Sequence, residues 1–304
     1  MVAEVAQGQT TSFTCQNCGA TTSAVALGTS IRCPFCGSEH VIAGPDDPNA
    51  PKPEALIPFA YPDDQVETAY RQWLGEGFFR PKDLRQKAVT NKMQAVYVPI
   101  WECHGSARSQ WTATAGYDRE ERYTTTENGQ QVEKTRTETD WRPARGRHEG
   151  SYDRELVSGS KGLPQDWLDE LGEFDWGKLT SFKPDYLLGR EVETSALDRT
   201  AAIQRARELI EEHERSACAD LVPGDRHRDL RVETEVGDLG GRLLYLPAWL
   251  AAFQYNGKQY RCVVNGQSGV VKGQAPLNTF RVVGVIAAVV AVVAIIALVI
   301  WLTS

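Results

Sequence analysis

The chain has 304 residues, with 33 Lys and Arg against 40 Asp and Glu and a net charge of −7. That balance argues against a protein whose main business is non-specific phosphate binding, and against strong attraction to anionic lipid. Seven cysteines, an odd number of which four fall in one motif, fit a reducing compartment and a metal site better than a disulfide framework.

At the N-terminus MVAEVAQGQTTSF has neither a basic start nor an apolar core, so no signal peptide is read there. Cys15-Gln16-Asn17-Cys18-Gly19 is followed by Cys33-Pro34-Phe35-Cys36-Gly37, the spacing C-x2-C-x14-C-x2-C. Each C-x-x-C-G turn presents two thiolates, and Gly after the second Cys lets the turn adopt a positive φ. Together Cys15, Cys18, Cys33 and Cys36 complete a tetrahedral shell for Zn²⁺. A closed four-sulfur shell leaves no open position, so the zinc expected here is structural and helps fold a zinc ribbon over residues 1–43. Redox C-x-x-C pairs or an iron–sulfur site are the alternatives. A ribbon can bind DNA, RNA or protein, so the motif does not choose a partner.

Residues 44–58, GPDDPNAPKPEALIP, read as a proline-rich linker. Residues 59–278 then read as an α+β domain rich in antiparallel sheet. Val66, Ala69, Tyr70, Trp73 and Leu74 share one face of a helix. Strands are expected over Ala95–Trp101, Ser109–Tyr117, Tyr123–Thr126 and Val132–Trp141, the last two joined by a hairpin at Asn128-Gly129. A short helix is read at Pro164–Leu171. Ser195-Ala196-Leu197-Asp198 resembles a capping box opening a longer helix, with Ala202, Ala206, Leu209, Ile210 and His213 on one face. His213 reads as a boundary residue of that face. Strands resume at Arg231–Glu235, Arg242–Phe253 and Gln259–Val264, and Asn265–Gly269 turns the chain into Val270–Lys272. Tyr97-Val98-Pro99-Ile100-Trp101 recurs as Tyr245-Leu246-Pro247-Ala248-Trp249, so two related halves are expected, about 59–150 and 190–275. Proline in both strands suggests edges or bulges.

Catalytic patterns are scarce. Gly172–Leu179 (GEFDWGKL) approaches a phosphate-binding loop but has Leu179 where Ser or Thr should hold Mg²⁺, and Glu173 and Asp175 would repel phosphate. Cys103-His104 could be half of a second metal site, against the alternative of two strand residues on opposite faces. Arg142, Arg145, Arg147 and His148 form the one basic cluster, a charged loop or a contact for nucleic acid, lipid head groups or an acidic partner. No nucleophile, base and oxyanion donor are found together.

From Val282 to Leu302 no charge occurs, enough to cross a ~30 Å hydrocarbon core. Arg281 and Lys272 lie upstream, so the expected topology is a single C-terminal transmembrane helix (280–302) with the N-terminal domains cytoplasmic, at the inner (plasma) membrane.

The ribbon cysteines, Tyr97–Trp101, Tyr245–Trp249, Asn265–Gly273 and the terminal helix together resemble a bacterial family of membrane-anchored TFIIB-type zinc-ribbon proteins. Members are often described as primosomal-helicase-like, although no helicase ATPase motif occurs here. The family is also similar to zinc-ribbon membrane partners of SPFH (flotillin-like) and phage-shock-type proteins. The resemblance implies a non-enzymatic adaptor docking such proteins at the lipid bilayer. The alternative is a membrane-tethered nucleic-acid-binding protein using the ribbon and Arg142–Arg147. The acidic net charge, and Arg32 as the ribbon's only Lys or Arg, argue against it.

Overall fold

A computed structural model describes residues 11–24, 33, 35, 38, 41–44, 50–90, 93–127, 130–187 and 190–303. In chain order the elements begin with β1 (Thr11–Cys15), β2 (Thr21–Ala24), β3 (Val41–Gly44) and β4 (Ala55–Leu56). Next come α1 (Val66–Gly75), α2 (Leu84–Lys87), β5 (Val89–Thr90), β6 (Gln94–Glu127), β7 (Gln130–Ser158), α3 (Gln165–Glu170), β8 (Thr180–Ser181) and β9 (Glu191–Glu193). The chain ends with α4 (Arg199–Asp220), β10 (Arg226–Tyr255), β11 (Lys258–Asn265), β12 (Val271–Gly273) and α5 (Thr279–Thr303). The architecture is α+β, built on a mixed twelve-stranded sheet.

Two compact units are present, each drawn from separate stretches of chain. The first comprises residues 1–102, 156–203 and 241–282, and the second 103–155, 204–240 and 283–304. Strands β6 and β10, which the sequence suggests as separate short runs, are continuous. Both pass through both units, so the division does not fall at composition breaks along the chain.

In the first unit the strand order is β12-β11-β10-β6-β9-β2-β1-β3. The pairing is largely antiparallel, with two short parallel exceptions. β4 runs alongside β10 (Leu56 opposite Tyr245), and β9 alongside β6 (Val192 opposite Tyr97). Thus the two Tyr-x-Pro-x-Trp segments lie on neighbouring strands, each with a short parallel partner, and the rings of Tyr97 and Tyr245 sit 6.3 Å apart. Neither proline marks an edge. β10 leaves β4 at Tyr245 and takes up β11 at Ala248, so Pro247, which has no N–H to donate, occupies the change of partner. Its carbonyl still accepts from Gly266 N–H at 2.9 Å, as the Pro99 carbonyl does from Gly159 at 3.0 Å.

The ribbon strands join this unit. β2 pairs with β9 (Thr22 opposite Glu193), and Cys15, Ala20, Cys33 and Phe35 are buried in one core with Val96, Ile100, Leu163 and Leu246. Within the segment read as a linker, residues 45–49 lie outside the described residues. Leu56 and Ile57 are fully buried, because the apolar run Ala55–Ile57 lies alongside β10. Gly162 makes the seam possible, since a Cβ there would collide with the ring of Phe35. Gly162→Ala must displace that ring, and overpacking of this kind costs about 1–3 kcal/mol. A matching fall in the urea unfolding midpoint of the full chain in detergent is the expected result.

α1 buries Val66, Tyr70, Trp73 and Leu74 against Phe253, Tyr255 and Val264, as its i, i+3, i+4 spacing dictates.

In the second unit β6 lies between β7 and β10. β6 ends at Glu127 and β7 begins at Gln130, bracketing Asn128-Gly129, which lie outside the described residues. Trp111, Ala113 and Cys218 form a small core under α4, with Val222, Leu230 and Val232 packed on it. The cap of α4 is Asp198, whose Oδ1 accepts from Ala201 N–H at 2.8 Å. Ser195 does not act as the capping residue; its hydroxyl bonds to Leu197 and accepts from the Trp101 indole.

α5 has 25 residues, about 37 Å at 1.5 Å per residue, long and apolar enough to cross a membrane. None of the apolar window is buried.

Candidate functional site

β1 delivers Cys15 at its last residue, and the chain turns back into β2 through Cys18 and Gly19. Gly19 holds φ +73°, its N–H donates to the Cys15 carbonyl at 2.8 Å, and Cys15 N–H donates to Ala20 at 2.9 Å. A left-handed residue is needed there, which is why glycine follows the second cysteine. Cys33 N–H donates to the Ser38 carbonyl at 2.8 Å, the same five-residue span as the bond from Cys15 to Ala20.

The Sγ atoms of Cys15, Cys18 and Cys33 all lie within 4.8 Å of one another, with Cys18 and Cys33 at 3.5 Å. Zn–S bonds of about 2.3 Å in a tetrahedron place sulfurs about 3.8 Å apart, so the three described thiols fit such an ion. Cys15 and Cys33 are buried and Cys18 is partly exposed. The fourth expected ligand, Cys36, lies outside the described residues.

A carboxylate that no motif marks stands beside this centre. Glu193 on β9 is fully buried, and burial pushes its pKa up to about 8. The Ser160 hydroxyl and the Lys161 N–H (2.8 Å) oppose that rise by donating to it, and the nearby Cys18 thiol adds to it. Glu193 therefore ties the 160–163 loop to the strand that pairs with the first cysteine turn.

In the second unit a larger polar cluster gathers on Glu214 of α4, which has no exposed surface. Its Oε2 accepts from Ser109 Oγ at 2.6 Å and meets His148 Nδ1 at 2.9 Å, while Oε1 accepts from the Tyr152 hydroxyl at 2.8 Å. Burial alone would raise the Glu214 pKa, but these three partners outweigh it and hold the carboxyl below its ordinary value. Tyr152 is pushed up, first by burial and then by its bond to Glu214. Ser109 Oγ also lies 2.8 Å from Thr234 Oγ1. Ser109, Tyr152 and His148 all converge on Glu214, so the cluster clamps α4 to the strands and leaves neither Ser109 nor His148 set to activate the other.

The remaining sequence candidates disperse. Cys103 is buried, and His104 packs against Gly240, where a Cβ would fall 2.5 Å from the ring. Among the described residues Cys15, Cys18 and Cys33 form the only such set of ligand atoms, and neither Cys103 nor His104 belongs to it. His213 is half-exposed, 3.3 Å from Glu155 Oε2 and stacked on Tyr152. Gly172–Leu179 is no phosphate cradle, because Asp175 caps a short 3₁₀ turn (Trp176–Lys178) by accepting from Gly177, and Phe174 is buried. In the basic cluster Arg142 pairs with Asp140 at 2.6 Å and lies over Tyr117, and His148 turns inward to Glu214. Only Arg145 and Arg147 remain as exposed neighbours two residues apart on β7.

No protein-family model matches the chain, and no solved structure matches it. A curated relative, the uncharacterized protein YdjG of Bacillus subtilis (strain 168), is 24% identical over 233 residues, which cover 76% of this chain and 65% of the relative. The chain thus spans a little under two thirds of the relative it matches.

Proposed function

We propose that the protein is a non-enzymatic, membrane-anchored adaptor. α5 spans the bilayer once and holds the rest of the chain at the cytoplasmic face. Cys15, Cys18, Cys33 and Cys36 bind one structural Zn²⁺, which orders the ribbon as a docking head. The partner is a cytoplasmic or membrane-associated protein of the SPFH (flotillin-like) or phage-shock type. The observation that carries the reading is the pairing of a long apolar helix, none of whose apolar window is buried, with a thiol cluster built into and against a core. Sulfurs so placed suit a fold-supporting ion better than a reactive one.

The test is isolation of the full chain in mild detergent, with mass spectrometry of what is retained. A stoichiometric SPFH or phage-shock protein should co-purify, and should be lost from a Cys15→Ser/Cys18→Ser variant that still inserts in the membrane. Retention of nucleic acid in place of protein, released by added salt, would overturn the adaptor reading.

A further inference from the structure

Two adjacent aromatic side chains lie exposed on a turn that the structure has no need to make apolar. Phe78 is 68% exposed and Phe79 39%, their rings 5.2 Å apart. The turn that carries them is firm. Gly77 reverses the chain at φ +101°, and Arg80 N–H donates back to the Gly77 carbonyl at 3.1 Å. From beneath, the Arg80 guanidinium lies 4.1 Å over the Trp73 ring and donates to the Trp73 carbonyl.

The tip of the turn is fastened to the start of α5. Asn278 N–H donates to the Phe79 carbonyl at 2.7 Å, and the Arg281 guanidinium donates to the carbonyl of Phe78 and lies 5.6 Å from its ring. Asn278 also caps α5, its side chain accepting from Arg281 N–H at 3.1 Å. Leu277 (65% exposed) and Phe280 (90%) flank these contacts. The uncharged run of α5 begins at Val282, directly after Arg281.

We infer that the Phe78–Phe79 turn, with Leu277 and Phe280, is a second membrane contact that dips into the head-group boundary of the bilayer α5 spans. The occupant follows from continuity. A helix that enters hydrocarbon from Val282 places its first turn at the lipid–water boundary, and whatever is hydrogen-bonded to that turn lies at the same depth. Exposed aromatic rings favour that layer, and Arg281 among them is matched to lipid phosphate. With the turn seated, the first unit is held to the surface at two points instead of one.

This inference rests on α5 spanning the bilayer, and the experiment separates the two claims. The full chain, reconstituted in phosphatidylcholine vesicles containing phosphatidylglycerol, carries one environment-sensitive fluorophore at a time, on Phe78→Cys, Leu277→Cys, Val293→Cys or Lys183→Cys. Conditions are chosen under which the unsubstituted chain takes no label. Lipids bearing a nitroxide at the head group or deep in the acyl chain serve as quenchers. The labels at 78 and 277 should shift to the blue and lose most of their emission to the shallow nitroxide. The label at 293 should lose it to the deep one, and the label at 183 to neither. If 78 and 277 behave as 183 does while 293 is quenched by the deep nitroxide, α5 spans and the second contact is wrong. If 293 escapes the deep nitroxide, the anchor itself fails and the inference falls with it. A blue shift at 78 that no nitroxide quenches, and that grows with protein density, would assign the patch to a second copy and overturn the lipid assignment.

Discussion

On the proposed zinc site, Cys15→Ser combined with Cys33→Ser will strip the metal and loosen far more than the ribbon. Structural zinc contributes an apparent 10–16 kcal/mol in small ribbon-like peptides, about as much as the whole stability of a typical domain. The thiols are not at a periphery from which such a loss could be contained. Cys15 and Cys33 belong to the core that includes Ile57, Val98, Leu168 and Val263. In the double variant the two buried thiols become hydroxyls inside an apolar core, and Cys18 has no ion to share with them. Elemental analysis should show the metal gone, and limited proteolysis should cut between β1 and β3 first. Cys36→Ser should do the same, whereas Cys103→Ser and Cys262→Ser should leave the zinc in place. Full metal retention in the double variant would move the site elsewhere.

Glu214→Ala will unfold the second unit under conditions that leave the wild type intact. One carboxylate accepts from Ser109 and Tyr152 and meets His148, and removing it takes that partner from all three and leaves a cavity. Breaking a buried charged cluster from one side costs about 3–5 kcal/mol. Glu214→Gln should cost less, about 1–3 kcal/mol, because it keeps the volume and one accepting oxygen. The pH dependence has a definite sign. The folded-state pKa lies below the unfolded value of about 4.3, so this stabilisation is complete above that pH and is lost as pH falls through the folded value. Urea midpoints should therefore drop for the wild type on acidification below about pH 4.3, and that part of the drop should vanish in Glu214→Gln. A slope unchanged by the substitution would show that other carboxylates set it.

The features legible in the sequence share one property, that their signal is local. The first C-x-x-C-G turn and an uncharged stretch can be read without knowing what lies opposite. The hairpin bracket at Glu127 and Gln130, α1 and α3 are of the same kind. The rest depends on distant partners. β4 and β9 have two and three residues, too short for any periodicity, and exist only because β10 and β6 run alongside them. The gaps read between strands at Glu102–Arg108 and Val236–Gly241 lie within continuous β6 and β10.

Glu214 did leave a trace. The buried stripe of α4 runs Ala202, Ala206, Ile210, and the next step of four lands on Glu214, followed by Cys218. A carboxylate on an apolar stripe announces a buried partner set. The surface-like run around it (Glu208, Glu211, Glu212, Glu214) hides that position among ordinary solvated charges. Glu193 gave no such sign, since its burial comes from the sheet pairing with β2.

The parallel pairing of Leu56 with Tyr245 also sets an order of events during synthesis. A chain emerging from the ribosome displays Leu56 and Ile57 long before β10 exists to cover them, and β11 and β12 arrive later still. Such pairings carry a heavy loop-closure cost and slow the search for the native state. In the interval the finished hairpin of β6 and β7 has one flank open where β10 will lie. An open strand flank of that length invites pairing with another chain. The nascent chain is thus most open to mispairing before its last strands appear.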